Sequence, residues 1–502
     1  MRAIPVVGVL VVLAASVVAA DTAGLSQEMW ERVRAAEPLV VELAPTPSPE
    51  APASLRLKEC IALAFRHNSG FRQDQERLVN ARRGLWIADQ RLYPTVSTEA
   101  ERSKDPGGEA ETSLSTSIGL RWEALGGGSL GTGVGTGSQS TFGDLLSQEP
   151  SITVDYEQPL MRGAGLSSST AERIRSAGTS LAAQELSFYD AQQDLAQSII
   201  DDYCSVLLAL GEVEIAQRSA DRAKLLYDIN YAKFSGESLV QPGEEWVSQV
   251  AEIDVDQARL SWDRSKQQLI SRQQASRDAM DRLLLDMGII PAASPELTTA
   301  IVYSAQEYDE AALVQTALAN STEVGRLELS RQDAVADLRI ARSEDRPDVI
   351  ASVGVTNPGE TESETSLGTG WFGGVRAELP LFDRRRKEGV TGAERALSVL
   401  EQRVVATRDR VAQEVQRQVR AAVSSRARID IGEQSVALAR KSREAAQGMY
   451  DEGLSDYLRV LDAEDRLVEA ERSLLQEQVQ YFLTTVQIRR SLGEDITEGL
   501  PS

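Results

Sequence analysis

Apolar positions recur along the C-terminal half as Leu397, Leu400, Val404, Val411, Val415, Val419 and Ala422, in steps of 3, 4 and 7. Such a narrow stripe predicts helices zipped together along a seam. The helical pattern from Asp383 to Met449 would reach ~100 Å at 1.5 Å per residue. A second helical pattern, Leu454 to Leu492, runs back beside it. Compact domains do not hold helices that long, whereas a bundle or tube of coiled coils does. Between the two lies MYDEGLSDYLRVLDAE, Met449–Glu464, with Gly453 at the break. Glycine weakens a helix interior more than any residue but proline.

Other stretches alternate with period two. Val349, Ala351, Val353 and Val355 share one face, with Ser352 and Thr356 opposite. Trp371, Val375, Ala377 and Leu379 oppose Arg376 and Glu378. Ile152, Val154 and Tyr156 oppose Thr153, Asp155 and Glu157, and Leu114, Ile118, Leu120 and Trp122 oppose Ser115, Ser117 and Arg121. A membrane β-barrel, apolar to lipid and polar to its lumen, gives this pattern. A half-buried soluble sheet gives it equally.

The chain says the same thing twice. Ala64–Asn68 aligns with Ala317–Ser321, Tyr93-Pro94 with Arg346-Pro347, and Gln158-Pro159-Leu160 with Leu379-Pro380-Leu381. Each copy reads helix, β-segment, long helix, break, long helix. The expected layout is a signal peptide over 1–20 and a Pro/Ala-rich segment over 21–54. A first repeat covers 55–287, with its β-segment at 94–160 and a helical-hairpin tip near 234–245. After a linker, 288–307, a second repeat covers 308–493, with a β-hairpin at 347–381 and a tip near 450–456. A tail covers 494–502. Between Pro94 and Pro159 lie 64 residues, against 32 between Pro347 and Pro380. The surplus holds the Leu114–Trp122 strand and GGGSLGTGVGTG, and reads as an extra barrel-wall hairpin or an extracellular flap. The two copies supply about four principal strands, while a closed transmembrane barrel needs about eight or more. In a membrane, several chains would therefore share one barrel.

Arg2, the apolar run Val6–Ala20 and the small residues before Asp21 predict export with cleavage, the alternative being an uncleaved anchor. No later run approaches the ~18 apolar residues of a spanning helix. The net charge of −23 repels phosphate, which sets nucleic acid aside. His67 is the sole histidine, so neither a His-based metal site nor a His-based triad can be built. Cys60 and Cys204 read as small buried hydrophobes rather than a disulfide framework. The Gly-rich run lacks the Gly-Lys-Ser/Thr ending of a phosphate loop and reads as strand or turn. Paired acids such as Asp201-Asp202 and Glu244-Glu245 read as water-facing helix positions. Arg384-Arg385-Arg386-Lys387 after Asp383 reads as a capped first turn or as a basic rim facing lipid phosphates. No catalytic residue, cofactor or metal is expected.

The order and spacing of these motifs resemble the TolC-like outer-membrane efflux proteins, from about Leu55 to Gly493. The features that carry the resemblance most strongly are Tyr450-Asp-Glu-Gly453-Leu-Ser455 and Tyr457-Leu-Arg459-Val-Leu-Asp462-Ala463. The resemblance implies a mainly α fold with β. Long coiled-coil helices form an α-barrel, and a transmembrane β-barrel is shared between three protomers, four strands each. It implies a non-enzymatic channel in the outer membrane of a Gram-negative bacterium, with a periplasmic extension. Its partners would be a periplasmic adaptor (membrane fusion protein), an inner-membrane transporter and outer-membrane lipid.

By the same resemblance, Tyr450 falls at an aromatic gate position and Asp462 on the second acid of an Asp-Val-Leu-Asp pair, whose first acid is here Arg459. That replacement removes the basis for assuming cation preference. Gly453, Leu454 and Ser455 in one tip, and Phe234 and Gly236 in the other, would meet the adaptor. Leu120, Trp122, Ile152, Val154, Trp371 and Val375 would face lipid. The second reading is a soluble periplasmic coiled-coil scaffold or adaptor, which would bury those strand residues in a core.

Overall fold

The structure, a computed structural model, describes residues 54–104, 110–138, 151–235, 252–291, 295–299, 306–357, 370–379, 383–452, 454–455 and 457–497. The expected signal peptide, most of the Pro/Ala-rich segment, Gly236, Glu244-Glu245 and Gly453 lie outside the described residues.

The repeat appears element by element. In the first copy, α1 (Leu57–His67) and α2 (Ser69–Ala88) precede strands β2 (Leu92–Lys104), β3 (Ala110–Glu123), β4 (Ser129–Ser138) and β5 (Ser151–Pro159), then helices α3 (Ser169–Ser235) and α4 (Glu252–Asp286). In the second, α5 (Glu310–Asn320) and α6 (Thr322–Glu344) precede β7 (Asp348–Asn357) and β8 (Gly370–Glu378), then α7 (Arg384–Asp451) and α8 (Tyr457–Ser491). The short strands β1 (Ser54–Leu55) and β6 (Glu296–Leu297) pair in parallel. The paired long helices match closely, α3 and α7 with 67 and 68 residues and α4 and α8 with 35 each. The first copy contributes four strands rather than two, because the surplus segment folds as β3 and β4.

By internal contacts the chain forms two compact units, and each draws on both repeats. One comprises Glu76–Leu186 and Gly325–Ala406. The other comprises Ser187–Val324, Thr407–Ser502 and the described residues up to Gln75.

The first unit holds a six-stranded antiparallel sheet in the order β2-β3-β4-β5-β7-β8. Its ladder aligns Val96 with Ile118, Val134 and Ile152, and Pro94 with Leu120, Thr132, Val154, Val355 and Trp371. Side chains alternate across a strand, so these rows share one face. The opposite face carries Ser97, Ser117, Thr153, Asp155, Ser352 and Arg376, and β4 sets Gly131, Gly133 and Gly135 there. A Cβ at Gly131 would lie 2.5 Å from Asp155 Oδ1, so glycine leaves room for that carboxylate. At the start of α7, Asp383 accepts from Arg385 N at 3.0 Å and pairs with Arg386 at 3.1 Å. The basic run is thus a capped helical turn, and Arg386 also donates to Glu344 O at 2.9 Å.

The second unit contains three apolar clusters. The first gathers Leu57, Ile199, Ile200, Tyr203, Leu283 and Met287, and includes both cysteines. Burial pushes the Cys60 and Cys204 thiols up to about 12. Val415, Val419 and Ala422 of the predicted stripe are buried in the second, against Tyr481 and Ile488. The third lies where α3, α4, α7 and α8 meet near the tips, described below.

Each return helix ends in a glycine in the left-handed region, Gly288 at φ 75° and Gly493 at φ 72°. Ile289 N donates to Leu284 O and Glu494 N to Arg489 O, the six-to-one bond of a Schellman terminus. Asn68 Nδ2 donates to Asp286 O at 2.8 Å, and Asn320 Nδ2 to Leu492 O at 2.9 Å, so an asparagine holds the end of each return helix.

Candidate functional site

The hairpin tip forms because α7 ends at Asp451 and α8 begins at Tyr457. Glu452 N donates to Gly448 O at 3.1 Å and Leu454 N to Met449 O at 2.8 Å, satisfying carbonyls that the helix end leaves open. Leu454 is exposed and Ser455 half-buried, while Phe234 near the end of α3 is half-buried. Behind the turn, Tyr450, Tyr457, Val460, Ala463, Ala446, Leu226 and Ala258 pack together.

Tyr450 is buried in this packing rather than free. Its hydroxyl hydrogen-bonds to Asn230 Oδ1 of α3 at 2.6 Å. Its ring meets Tyr457 edge-on, with centroids 5.9 Å apart, and Lys233 Nζ stands 5.5 Å from its centroid. Asn230 is fully buried, and its Nδ2 has no hydrogen-bond partner among the described residues. The tips of the two helical hairpins are therefore tied through one hydroxyl. A second tie is the ion pair between Arg222 of α3 and the buried Glu464 of α8.

Arg459 is exposed, two residues beyond the buried Tyr457. Asp462 is exposed as well, and pairs not with Arg459 but with Arg466, one turn on, at 2.8 Å. An exposed helical pair of this kind stabilises by only about 0.3–0.5 kcal/mol, yet it moves positive charge beside the one acid. The exposed tip of α8 thus sets Arg459, Asp462 and Arg466 in successive turns. Sequence reasoning singled out Tyr450, Arg459 and Asp462 as candidates; it did not single out Asn230 and Arg466, which contact Tyr450 and Asp462, or Glu464, which pairs with Arg222. A signal for Asn230 was present: it stands four residues after Leu226, a polar residue on an apolar helix face.

Farther along the same unit, α3, α4 and α8 line a cavity of ≈ 340 Å³. Glu212 there bridges Arg272 at 2.8 Å and Arg472 at 2.9 Å. Asp465, on the wall, is raised above the usual carboxylate range by burial, against the pull of Arg264, with Asp462 adding to the rise. Three acids and three arginines compensate one another in this wall. Among the described residues no cluster of three His, Cys, Asp or Glu is placed to hold a metal ion.

On the sheet, the residues expected to face lipid fall on one face by register: Leu120, Trp122, Ile152, Val154, Trp371 and Val375. Trp371 is 80% exposed, Val375 69%, Leu120 46% and Ile152 46%, whereas Trp122 and Val154 are half-buried. Among the described residues no helix is long and apolar enough to cross a membrane.

Residues 313–494 match the model of the outer membrane efflux protein family. Among solved structures, the outer membrane protein VceC of Vibrio cholerae aligns with a TM-score of 0.66 at 18% identity, covering 88% of this chain and 96% of that one. The CmeC outer membrane channel of Campylobacter jejuni aligns at 0.65 and 15% identity, covering 88% of each chain. The open-state MtrE channel of Neisseria gonorrhoeae aligns at 0.61 and 16%, covering 88% of this chain and 89% of that one. No curated protein sequence matches the chain. Residues 313–494 thus match the outer membrane efflux protein family, and the chain has the fold of outer membrane channels along 88% of its length.

Proposed function

We propose that the protein is the outer-membrane channel of a tripartite efflux or type I secretion system. As a homotrimer it passes substrates from the periplasm to the exterior, docked to a periplasmic adaptor and an inner-membrane transporter that supplies the energy. The observation that carries this reading is the sheet. One face is apolar and open to the surroundings across all six strands, while the other is mainly polar, with Ile350 and Phe372 its apolar members in β7 and β8. An apolar patch of that extent is a liability in water and an asset in lipid. A soluble scaffold would have to cover Trp371 and Val375, and no described element does so.

The tip is the natural place for control. Tyr450, tied to Asn230, holds the two hairpins together, and parting them would widen an aperture between copies. Arg459 and Asp462 border it, with Arg466 behind, so the ring carries mixed charge and no strong cation preference. Leu454, Ser455 and Phe234 stand where an adaptor would reach, and Gly453 and Gly236 belong to the same two turns in sequence.

Reconstitution of the purified protein in planar lipid bilayers tests the reading. Stepwise conductance that falls when Arg459 and Asp462 are blocked from the periplasmic side is expected. A protein that neither inserts nor conducts would refute it.

A further inference from the structure

The surplus segment of the first repeat is the feature that the channel reading leaves unused. We infer that β3 and β4 are wall strands, so that each copy contributes six strands and three copies close an eighteen-stranded barrel, β8 of one copy pairing with β2 of the next. This rests on the channel reading and adds to it a wider exit.

Four observations converge. First, β3 and β4 sit inside the sheet, between β2 and β5, with 13 pairs on one side and 7 on the other. A flap would leave β2 and β5 paired to each other. Second, the apolar face runs through the insertion without a break. Val96, Ile118, Val134 and Ile152 form one row, and all are exposed. A hairpin lying outside a lipid-facing wall would have no use for that parity.

Third, the β3–β4 turn is anchored at the end of the sheet where the helices join it. Ala124 and Leu125 are buried, and Gly165 N donates to Gly126 O at 3.0 Å. Gly127 has φ 87°, and a Cβ there would lie 2.5 Å from Gly163 O. Both inserted strands therefore run the height of the sheet, and at 14 and 10 residues each is long enough to span a bilayer.

Fourth, the edges fit each other. Within the described residues β2 pairs only with β3, and β8 only with β7. The six strands alternate in direction from β2 to β8, so β8 runs antiparallel to the β2 of a second copy. Six strands are too few to close alone, and open edges are not tolerated in hydrocarbon. The partner for both edges is another copy of this chain. Barrel diameter grows roughly linearly with strand number. At ~4.8 Å between strands and ~40° tilt, eighteen strands span about 36 Å between backbones, against about 24 Å for twelve. The polar face of β4 is glycine at 131, 133 and 135, so these positions add no side chains to narrow that lumen.

Spin labels at single cysteines test this in the detergent-purified protein returned to lipid vesicles. Cys60 and Cys204 are buried and stay unlabelled. Leu120→Cys and Val134→Cys report the inserted strands, Val375→Cys the strand β8, and Ser117→Cys and Thr153→Cys the polar face. The expected result is high oxygen accessibility at 120, 134 and 375, and high accessibility to a water-soluble nickel chelate at 117 and 153. If 375 meets oxygen while 120 and 134 meet only the chelate, the hairpin lies outside the wall. The inference then falls, and the channel stands. If all five meet only the chelate, both fall. Should a label prevent assembly, a cryo-microscopic cross-section of the unlabelled trimer decides, with eighteen strands supporting the inference and twelve overturning it.

Discussion

Replacing Tyr450 by Phe deletes one oxygen and nothing else. The ring keeps its edge-on contact with Tyr457 and its place beside Lys233. What disappears is the 2.6 Å hydrogen bond to Asn230 Oδ1. Asn230 is fully buried, and its Nδ2 already lacks a partner, so the whole amide would be left without a hydrogen bond through its side chain. Stranding a buried acceptor costs about 1–3 kcal/mol. If that energy holds the tips together, the balance between packed and parted tips moves by about 5–150-fold. Single-channel recording reads this directly, as the fraction of time in the high-conductance level. Tyr450→Phe should raise that fraction. Tyr450→Phe with Asn230→Leu should lower it again, because replacing both partners by apolar groups is nearly neutral. An unchanged fraction in Tyr450→Phe, or a double variant as open as the single one, would refute the tie.

Gly288→Ala should destabilise the protein by about 1–3 kcal/mol, since the residue has φ 75° and its Cβ would lie 2.5 Å from His67 O; a thermal midpoint equal to that of the native protein would count against the Schellman lock. Burial, then the hydrogen bond and charge of Asp286, raise Asp202 to about 7. A folded value above the ordinary ~3.9 means the folded state holds the proton longer. Stability should therefore fall as pH rises from about 4 to about 7 and level off above that. Asp202→Asn should flatten that slope in melts taken across the range, and parallel slopes would discredit the assignment. Leu120→Arg and Val375→Arg place a charge on the apolar face, at about 2–4 kcal/mol each near the bilayer midplane, and should empty the outer-membrane fraction; normal assembly of both would place that face away from lipid.

Much of this fold was legible because its periodicities are long. The stripe through Val415, Val419 and Ala422 is buried as its spacing requires, and the alternation of Ile118, Leu120 and Trp122 survives as a strand face. The paired elements were visible because Tyr93-Pro94, just inside β2, and Arg346-Pro347, just before β7, mark where helix gives way to strand. The strand count was not legible, because Gly and Thr alternating in β4 have weak strand preference and pairing order is a long-range property. The tip was half legible. Its turn and Tyr450 follow from local motifs, but Asn230 is 220 residues from Tyr450 in sequence. Neither repeat alone contains the bond.

The most direct test of the channel is the native mass of the protein extracted from the cell envelope in mild detergent. The account predicts a trimer, found only in the outer-membrane fraction, because six strands per chain leave β2 and β8 open until copies join. A monomer or dimer released without detergent would contradict it.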